Sequence, residues 1–237
     1  MRGMDRLETT VGRLARLGFS DADRAEKLLG GWPSGAEACI DLLADADLAS
    51  GELAARLGLP TNLMAHHLQV LEQAGLISRR RSEGDARRSY VRRTPACDRL
   101  LGATPVPRPR TVAFVCSQNS ARSQLAEAYW RTVSDIPVIS GGTHPADRIH
   151  PRALSVGRRH GLDLSRARPK LVSEVLTGDE LVIAVCDQAY EDFHAPSAHW
   201  SVPDPARSGD ASAFEAAYTD LADRINQLTT RFEGEPA

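Results

Sequence analysis

The sequence predicts two domains: a mainly α winged helix-turn-helix, followed by an α/β domain built on a parallel sheet. Apolar residues recur at helical spacing in the first part of the chain, whereas strand and helix patterns alternate after residue 110. Between them, ATPVPRPR has prolines at alternating positions, which favours an extended spacer. We therefore expect domains at residues 1–100 and 111–237, joined by a linker at 101–110.

The composition is that of an ordinary globular protein. Hydrophobic residues make up 42% of the 237 residues and charged residues 25%. No apolar run approaches the roughly 18 residues of a membrane span, and the charged N-terminal stretch lacks the apolar core of a signal peptide. We expect a cytoplasmic protein without membrane contact.

The four cysteines, at Cys39, Cys97, Cys116 and Cys186, lack the paired spacing of a zinc site. In a reducing compartment such thiols stay free. We expect no metal and no tightly bound cofactor.

Three segments of the first domain have helical periodicity, namely AEACIDLLADA, SGELAARLGL and TNLMAHHLQVLEQAGL. Gly58 stands where the second should stop, and Thr61 is a candidate N-cap for the third, which Gly75 ends. Two helices joined by a tight turn form a helix-turn-helix, in which the third segment is the recognition helix.

The segment LISRRRSEGDARRSYVRRT predicts a wing, two short strands around a Glu-Gly-Asp turn. Residues 79–93 hold seven arginines against two acidic residues, so the wing can lie along DNA phosphates. Polar side chains of the recognition helix can hydrogen-bond to bases or phosphates. The candidate DNA-binding residues are Thr61, Asn62, His66, His67, Arg79, Arg80, Arg81, Arg87 and Arg88. The alternative is a small helical domain with a solvated arginine hairpin.

Residues 20–95, above all HHLQVLEQAGLI, resemble the winged-helix core of the ArsR/SmtB family of bacterial metal-responsive repressors. The resemblance implies a homodimer that binds double-stranded DNA, with one recognition helix per half-site. Arsenic-sensing members often carry a cysteine cluster on the helix before the recognition helix, and LASGELAARL has none. The sequence therefore does not predict a metal sensor.

In the second domain, TVAFV, IPVIS, ELVIAV and HWSV are typical of strands. The segments SARSQLAEAYWRTV, HPRALSVGRRHG and AFEAAYTDLADRINQLTTRF are typical of helices. This alternation predicts a parallel sheet whose active-site loops lie at the C-terminal strand ends. Cys116 and Cys186 each stand at the end of such a strand, so we expect both at one sheet edge.

The loop CSQNSAR, after the first of these strands, has the strongest functional signal. Its small and polar residues include no proline, so their backbone N–H groups can curl around one tetrahedral oxyanion at a helix N-terminus. The same donors stabilise a thiolate, which favours Cys116 as a nucleophile over a buried structural thiol. Arg122 can hold two oxyanion oxygens with its planar fork. The predicted oxyanion-binding residues are Ser117, Gln118, Asn119, Ser120, Ala121 and Ser123.

The stretch HWSVPDPA places Asp204 just after a strand, between two prolines that stiffen its loop. A carboxylic acid there can protonate a leaving oxygen. Alone, this residue would read as an ordinary turn aspartate, because Asp-Pro is common in turns. Beside the Cys116 loop, Asp204 is a candidate general acid.

Residues 111–230, through VCSQNSARSQLAEAYW, SGGTHPADRIHP and HWSVPDPA, resemble the low-molecular-weight tyrosine phosphatase fold and, within it, the arsenate reductases. Phosphatases proper usually have Arg-Ser-Pro after the loop, and a tyrosine two residues after the Asp-Pro pair. Here Gln124 and Arg207 stand at those positions. Both differences favour the arsenate reductase branch.

The resemblance implies that the Cys116 thiolate attacks arsenic(V) and that Asp204 assists loss of water or hydroxide. A second thiol then attacks, and arsenite leaves. Cys186 is the internal candidate, and a buried strand-end thiol is the alternative. Thioredoxin-coupled relatives use a further cysteine shortly after this one, which DQAYEDFHAPSAHW lacks. The other source of the second thiol is an external reductant: mycothiol, glutathione, a glutaredoxin-type protein or thioredoxin.

The leading prediction is an arsenate reductase fused to an ArsR-like transcriptional regulator. A phosphatase fused to a regulator is the first alternative, because phosphate and arsenate are nearly isosteric. The second is a transcription factor whose C-terminal domain only senses an oxyanion or redox state. A binding-only domain would not need Asp204.

Overall fold

The computed structural model describes residues 34–101, 105–193 and 196–232. By their contacts the described residues form two compact units, each with its own core. Residues 80–89 group with the C-terminal unit, and the remaining described residues before 102 form the N-terminal unit. The predicted domain boundaries stay predictions, because residues 1–33 and 102–104 lie outside the described part of the chain.

The N-terminal unit contains the three predicted helices, α1 (Ser34–Leu42), α2 (Ser50–Leu57) and α3 (Thr61–Gln73). Gly58 follows α2 with a left-handed φ of 63°, and its N–H donates to carbonyls of the last turn of α2. This is the tight turn predicted between the two helices. The predicted N-cap role of Thr61 is wrong, because α3 begins at Thr61 and Pro60 holds the N-cap position.

A three-stranded sheet accompanies these helices. It contains β1 (Leu48–Ala49), β2 (Ile77–Arg81) and β3 (Ser89–Arg93), with β3 in the centre, and α4 (Pro95–Leu101) follows. β1 and β3 pair antiparallel. At the tip between β2 and β3, the Ser82 hydroxyl accepts the N–H groups of Gly84 and Asp85. The helices and this hairpin form the predicted winged helix-turn-helix.

One face of the α3 helix is buried, and the opposite face is exposed. Met64, His67, Leu68 and Leu71 face the core at the spacing of one helix face. His67 is only 2% exposed, so its side chain is not on the surface, and we remove it from the predicted DNA-binding set. Burial lowers the pKa of His67, which suits a neutral ring packed among apolar neighbours.

The C-terminal unit has the predicted α/β architecture. Its parallel sheet has the order β5-β4-β6-β7 and contains β4 (Val112–Cys116), β5 (Val138–Gly142), β6 (Leu181–Ala184) and β7 (Ala198–His199). The helices are α5 (Arg122–Val133), α6 (Pro151–Arg159), α7 (Val172–Val175), α8 (Asp187–Asp192), α9 (Pro205–Ser208) and α10 (Ala211–Thr229). Phe114 of the central strand is fully buried, and its ring contacts those of Trp130 and Trp200.

The described part of the proline-rich spacer packs on the C-terminal unit. The Val106 N–H donates to the Arg231 carbonyl over 2.8 Å, and Val106 forms an isolated parallel bridge with Phe232. Arg108 also pairs with Asp135. One backbone hydrogen bond and one ion pair thus fix this segment to the C-terminal unit.

Candidate active site

The loop of residues 117–121 leaves the C-terminal end of β4, the strand between β5 and β6, and leads into α5. On the neighbouring strand β5, Gly142 lies in register with Cys116. A Cβ at Gly142 would lie 2.7 Å from the Ser117 carbonyl oxygen and 3.0 Å from Asn119. The absence of a side chain there therefore lets the loop pack directly on β5.

Asn119 holds the loop in shape from its centre. It has a left-handed φ of 47°, which costs energy for a residue with a side chain. Its amide nitrogen donates to the hydroxyls of Ser123 and Ser140, both at 2.8 Å. Its amide oxygen accepts from the Gln124 side chain and the Lys170 backbone N–H, both at 2.9 Å. Four hydrogen bonds thus fix the strained residue.

Cys116 is only 2% exposed, and two polar groups contact its sulfur. The Asn119 N–H lies 3.2 Å from Sγ, and the Ser123 hydroxyl lies 3.0 Å from it. Because the Ser123 oxygen already accepts from Asn119, its own hydrogen is available to the sulfur. The Asn119 N–H and the Ser123 hydroxyl thus hold Sγ in place at the start of the loop.

Arg122 begins α5 and is 7% exposed. Its Nη1 donates to the Val202 carbonyl over 2.9 Å, and its Nη2 lies 3.5 Å from Asp204 Oδ1. Burial acts to lower the pKa of Arg122, but the ionisable groups around it, Cys186 and Cys116 first and then Asp204 and Glu83, outweigh burial and raise the pKa. A permanently charged guanidinium is therefore held in one orientation beside the cysteine loop.

Asp204 stands just before α9, and its Oδ1 accepts the Ala206 N–H over 3.2 Å. Its side chain is 30% exposed, so the carboxyl group can exchange protons with water. The structure therefore brings Cys116, Arg122 and Asp204 together, as the sequence predicted. Side chains of these three types can supply a nucleophile, an anion ligand and an acid.

Cys186 lies just beyond β6 and is fully buried. Its sulfur accepts the Ala189 N–H over 3.3 Å, and the nearby Ser117 N–H acts to lower the pKa of the thiol. Burial raises the pKa of the Cys186 thiol to about 11, against the opposing effect of Arg122. N–H groups of one loop thus lie beside both sulfurs, that of Ser117 near Cys186 and that of Asn119 at Cys116.

Residues that the sequence did not indicate support the loop from behind. Ser140 on β5 donates to the carboxylate of Glu127, which is 4% exposed. Glu127 also pairs with Arg131 and, at 3.5 Å, with Lys170. A charged residue within the otherwise apolar run LAEAYW was the available signal for Glu127. The hydroxyl of Ser140 had no such signal.

The other predicted oxyanion-binding residues lie along the same loop. The carbonyls of Ser117, Gln118 and Ser120 accept N–H groups of the following segment, residues 144–150. Their carbonyls therefore point away towards that segment, which leaves the loop N–H groups as the donors for an anion. Ala121, the N-cap of α5, is buried beside them.

The predicted DNA-binding residues other than His67 lie at or near the surface of the hairpin and α3. Several of the arginines already have acidic partners: Arg79 with Glu72, Arg80 with Glu83, and Arg87 with Asp85. The side chains of Thr61, Asn62, His66, Arg81 and Arg88 are exposed.

Within the described residues, no group of three or more His, Cys, Asp or Glu side chains could hold a metal ion. The same part of the chain has no helix that is both long and apolar enough to span a membrane.

Comparisons with known proteins agree with this site. Residues 111–236 match the family described as low molecular weight phosphotyrosine protein phosphatase, and residues 39–88 match the MarR family. The chain is 29% identical over 132 residues to arsenate reductase 2 of Staphylococcus haemolyticus, which covers 52% of this chain and 98% of that protein. It is 31% identical over 109 residues to an arsenate reductase of Staphylococcus aureus, covering 41% and 79% respectively.

A solved structure described as an arsenate reductase in the phosphate binding state is 25% identical to this chain. It covers 52% of this chain and 98% of that one, with a TM-score of 0.44. The family match and the arsenate reductase relatives both fall on the unit that holds Cys116. The chain belongs to the low molecular weight phosphotyrosine protein phosphatase family, in its class of arsenate reductase enzymes, and carries a helix-turn-helix domain before the enzyme domain.

Proposed function

We propose that this protein reduces arsenate to arsenite and that its N-terminal domain is an ArsR-like transcriptional regulator. One observation carries the enzymatic proposal: two buried thiols, Cys116 and Cys186, lie beside N–H groups of a single oxyanion-binding loop and beside Arg122. A phosphatase needs only the first of these thiols. The arsenate reductases among the relatives support the same choice.

In the first step, arsenate binds the loop N–H groups and the Arg122 fork, and the Cys116 thiolate attacks arsenic. A sulfur–arsenic bond forms and an arsenic–oxygen bond breaks. Asp204 protonates the leaving oxygen, which departs as water. Arsenic is still in oxidation state five after this step, and its remaining oxygens stay on the loop.

In the second step, the Cys186 sulfur attacks the sulfur of Cys116. A disulfide forms, the electron pair of the sulfur–arsenic bond passes to arsenic, and arsenite leaves. Two thiols are thereby oxidised and one arsenic(V) is reduced to arsenic(III). An external thiol, from mycothiol, glutathione, a glutaredoxin-type protein or thioredoxin, then reduces the disulfide.

The pKa of Cys186 predicts how the second step depends on pH. Because attack needs the thiolate and the pKa is about 11, the rate of arsenite release should rise about tenfold per pH unit between pH 7 and 9. Rapid-quench measurement of arsenite in a single turnover checks this. In Cys186→Ser, arsenic should stay bound to Cys116 until an external thiol is added; unchanged release would assign the second step to another thiol.

We propose that the N-terminal domain binds DNA. In this proposal the protein is a homodimer and acts in the cytoplasm. The helix-turn-helix match and the exposed arginines of the hairpin support it. Phosphate binding by such side chains is independent of sequence, whereas Thr61, Asn62 and His66 are placed at exposed positions of the recognition helix and can read base edges.

Replacing Arg81 and Arg88 by glutamine should weaken binding to every duplex alike. We expect the slope of log affinity against log salt to fall by about one for each phosphate that the hairpin no longer neutralises. Fluorescence anisotropy on a palindromic promoter fragment and on an unrelated duplex measures both quantities. Arg158→Gln, which removes an exposed charge on α6, is the control. An unchanged salt slope in the double variant would contradict a role of the hairpin.

The enzymatic proposal is tested by steady-state arsenate reduction with mycothiol-based and thioredoxin-based reducing systems. Hydrolysis of an aryl phosphate is measured in parallel, because the family name makes a phosphatase the second candidate. Arsenite production by either system supports the proposal. Aryl phosphate hydrolysis without arsenite production would favour the phosphatase.

A further inference from the structure

The turn at the tip of the hairpin places a carboxylate in the candidate active site. Residues 80–89 belong by their contacts to the C-terminal unit. Glu83 Oε2 lies 3.9 Å from Arg122 Nη1 and accepts the Asp204 N–H over 2.7 Å. One oxygen of Glu83 therefore faces both the proposed anion ligand and the backbone of the proposed general acid.

Three further hydrogen bonds fix this turn. The Glu83 N–H donates to Asp187 Oδ2 over 2.8 Å, and the Glu83 carbonyl accepts from Arg207 Nη2 over 2.6 Å. The Ser82 hydroxyl donates to Glu191 over 2.7 Å. Ser82 is only 5% exposed, which is unusual burial for a residue at the tip of a hairpin. The turn is thus docked through side chain and backbone alike.

The acceptor of the Glu83 N–H is itself built into the core. Asp187 is 3% exposed and lies 3.0 Å from His199 Nε2, and the Tyr190 ring stacks on His199. Burial acts to raise the pKa of Asp187, but hydrogen bonds, first from His199, hold it below its ordinary value. The Glu83 N–H therefore donates to a charged carboxylate, that of Asp187, which its neighbours hold in one orientation.

We propose that the Ser82–Asp85 turn is an internal occupant of the oxyanion site, with the Glu83 carboxylate standing beside Arg122 where an oxyanion must displace it. A carboxylate and a tetrahedral oxyanion both bind the fork of a guanidinium, and their negative charges repel one another. The inference rests on the proposed function only in taking Arg122 as an oxyanion ligand. It makes the turn a regulator of access to that site.

Release of the turn also frees the segment that holds Arg81 and Arg87. A ligand that binds the released segment and an oxyanion that binds Arg122 would then both favour the state in which the turn is released. Such coupling is reciprocal, so each ligand raises the affinity for the other. The proposal thus couples the oxyanion site to residues 80–89, which belong to the same unit.

Calorimetric titration of the full-length protein with inorganic phosphate tests the competition. Phosphate is the probe because it binds without being reduced. We expect Glu83→Gln to bind phosphate about tenfold more tightly than the wild type, because the competing charge is gone. The matched control is Glu174→Gln, which removes the same charge at an exposed position of α7 and should leave phosphate affinity unchanged.

Limited trypsin digestion of the wild type and of Glu83→Gln tests whether phosphate displaces the Ser82–Asp85 turn. Phosphate should speed cleavage after Arg87 and Arg88, and Glu83→Gln should be cleaved at the faster rate without phosphate. Equal or weaker phosphate affinity in Glu83→Gln, phosphate binding by neither protein, or cleavage that phosphate leaves unchanged would overturn the inference. If Glu83→Gln gains phosphate affinity while the wild type makes no arsenite, this inference stands and the proposed reaction is refuted.

Discussion

Replacing Cys116 by serine should reduce arsenite production at least about 10⁴-fold, to background. A serine hydroxyl is a far weaker nucleophile at neutral pH, and an oxygen there cannot form the disulfide that supplies the electrons. Phosphate should still bind, because Arg122 and the loop N–H groups are unchanged. Arsenite production and calorimetric phosphate binding, measured on the same preparation, separate an effect on the chemistry from an effect on the site.

Cys97→Ala is the control for this variant, since it removes a buried thiol from the N-terminal unit. We expect it to reduce arsenate at the wild-type rate. Arsenite production that survives in Cys116→Ser would mean that the nucleophile lies elsewhere.

Replacing Arg122 by lysine should lower kcat/KM for arsenate by about 10²- to 10³-fold. Lysine keeps the positive charge but lacks the planar fork that can hold two oxyanion oxygens. We expect a higher KM, because arsenate would bind less tightly. We also expect a lower kcat, because the bound arsenate would be less well aligned with the attacking sulfur of Cys116. Initial rates at varied arsenate concentration measure the two parameters.

Arg158→Lys is the matched control, because Arg158 is an exposed arginine of α6. Its replacement should change kcat/KM less than about twofold. If Arg122→Lys were as active as the control, the fork geometry would have no part in catalysis.

The sequence predicted those parts of the site that are contiguous in the chain. Cys116 and Arg122 are six residues apart on one strand–loop–helix unit, so strand and helix patterns were enough to place them together. Cys186 and Asp204 could be placed at the same edge because parallel strands end side by side. The fold class followed from the same patterns, and it is confirmed.

The interactions that the sequence did not predict depend on the direction and reach of individual side chains. The adjacent pair His66 and His67 is an example: only the burial of Met64 and Leu68 on the same face shows which histidine turns inward. Glu83 is 39 residues before Arg122, in what reads as a polar hairpin turn. Nothing in its local pattern indicates a partner in the other half of the chain.

The most direct test of the proposed chemistry is a single turnover of arsenate by the full-length, reduced protein without any external reductant. The four cysteines are free thiols at the start. We predict one arsenite per chain and the oxidation of two thiols, recovered as a disulfide between Cys116 and Cys186. No arsenite and four remaining thiols, in a protein that hydrolyses aryl phosphate, would contradict the proposed reduction.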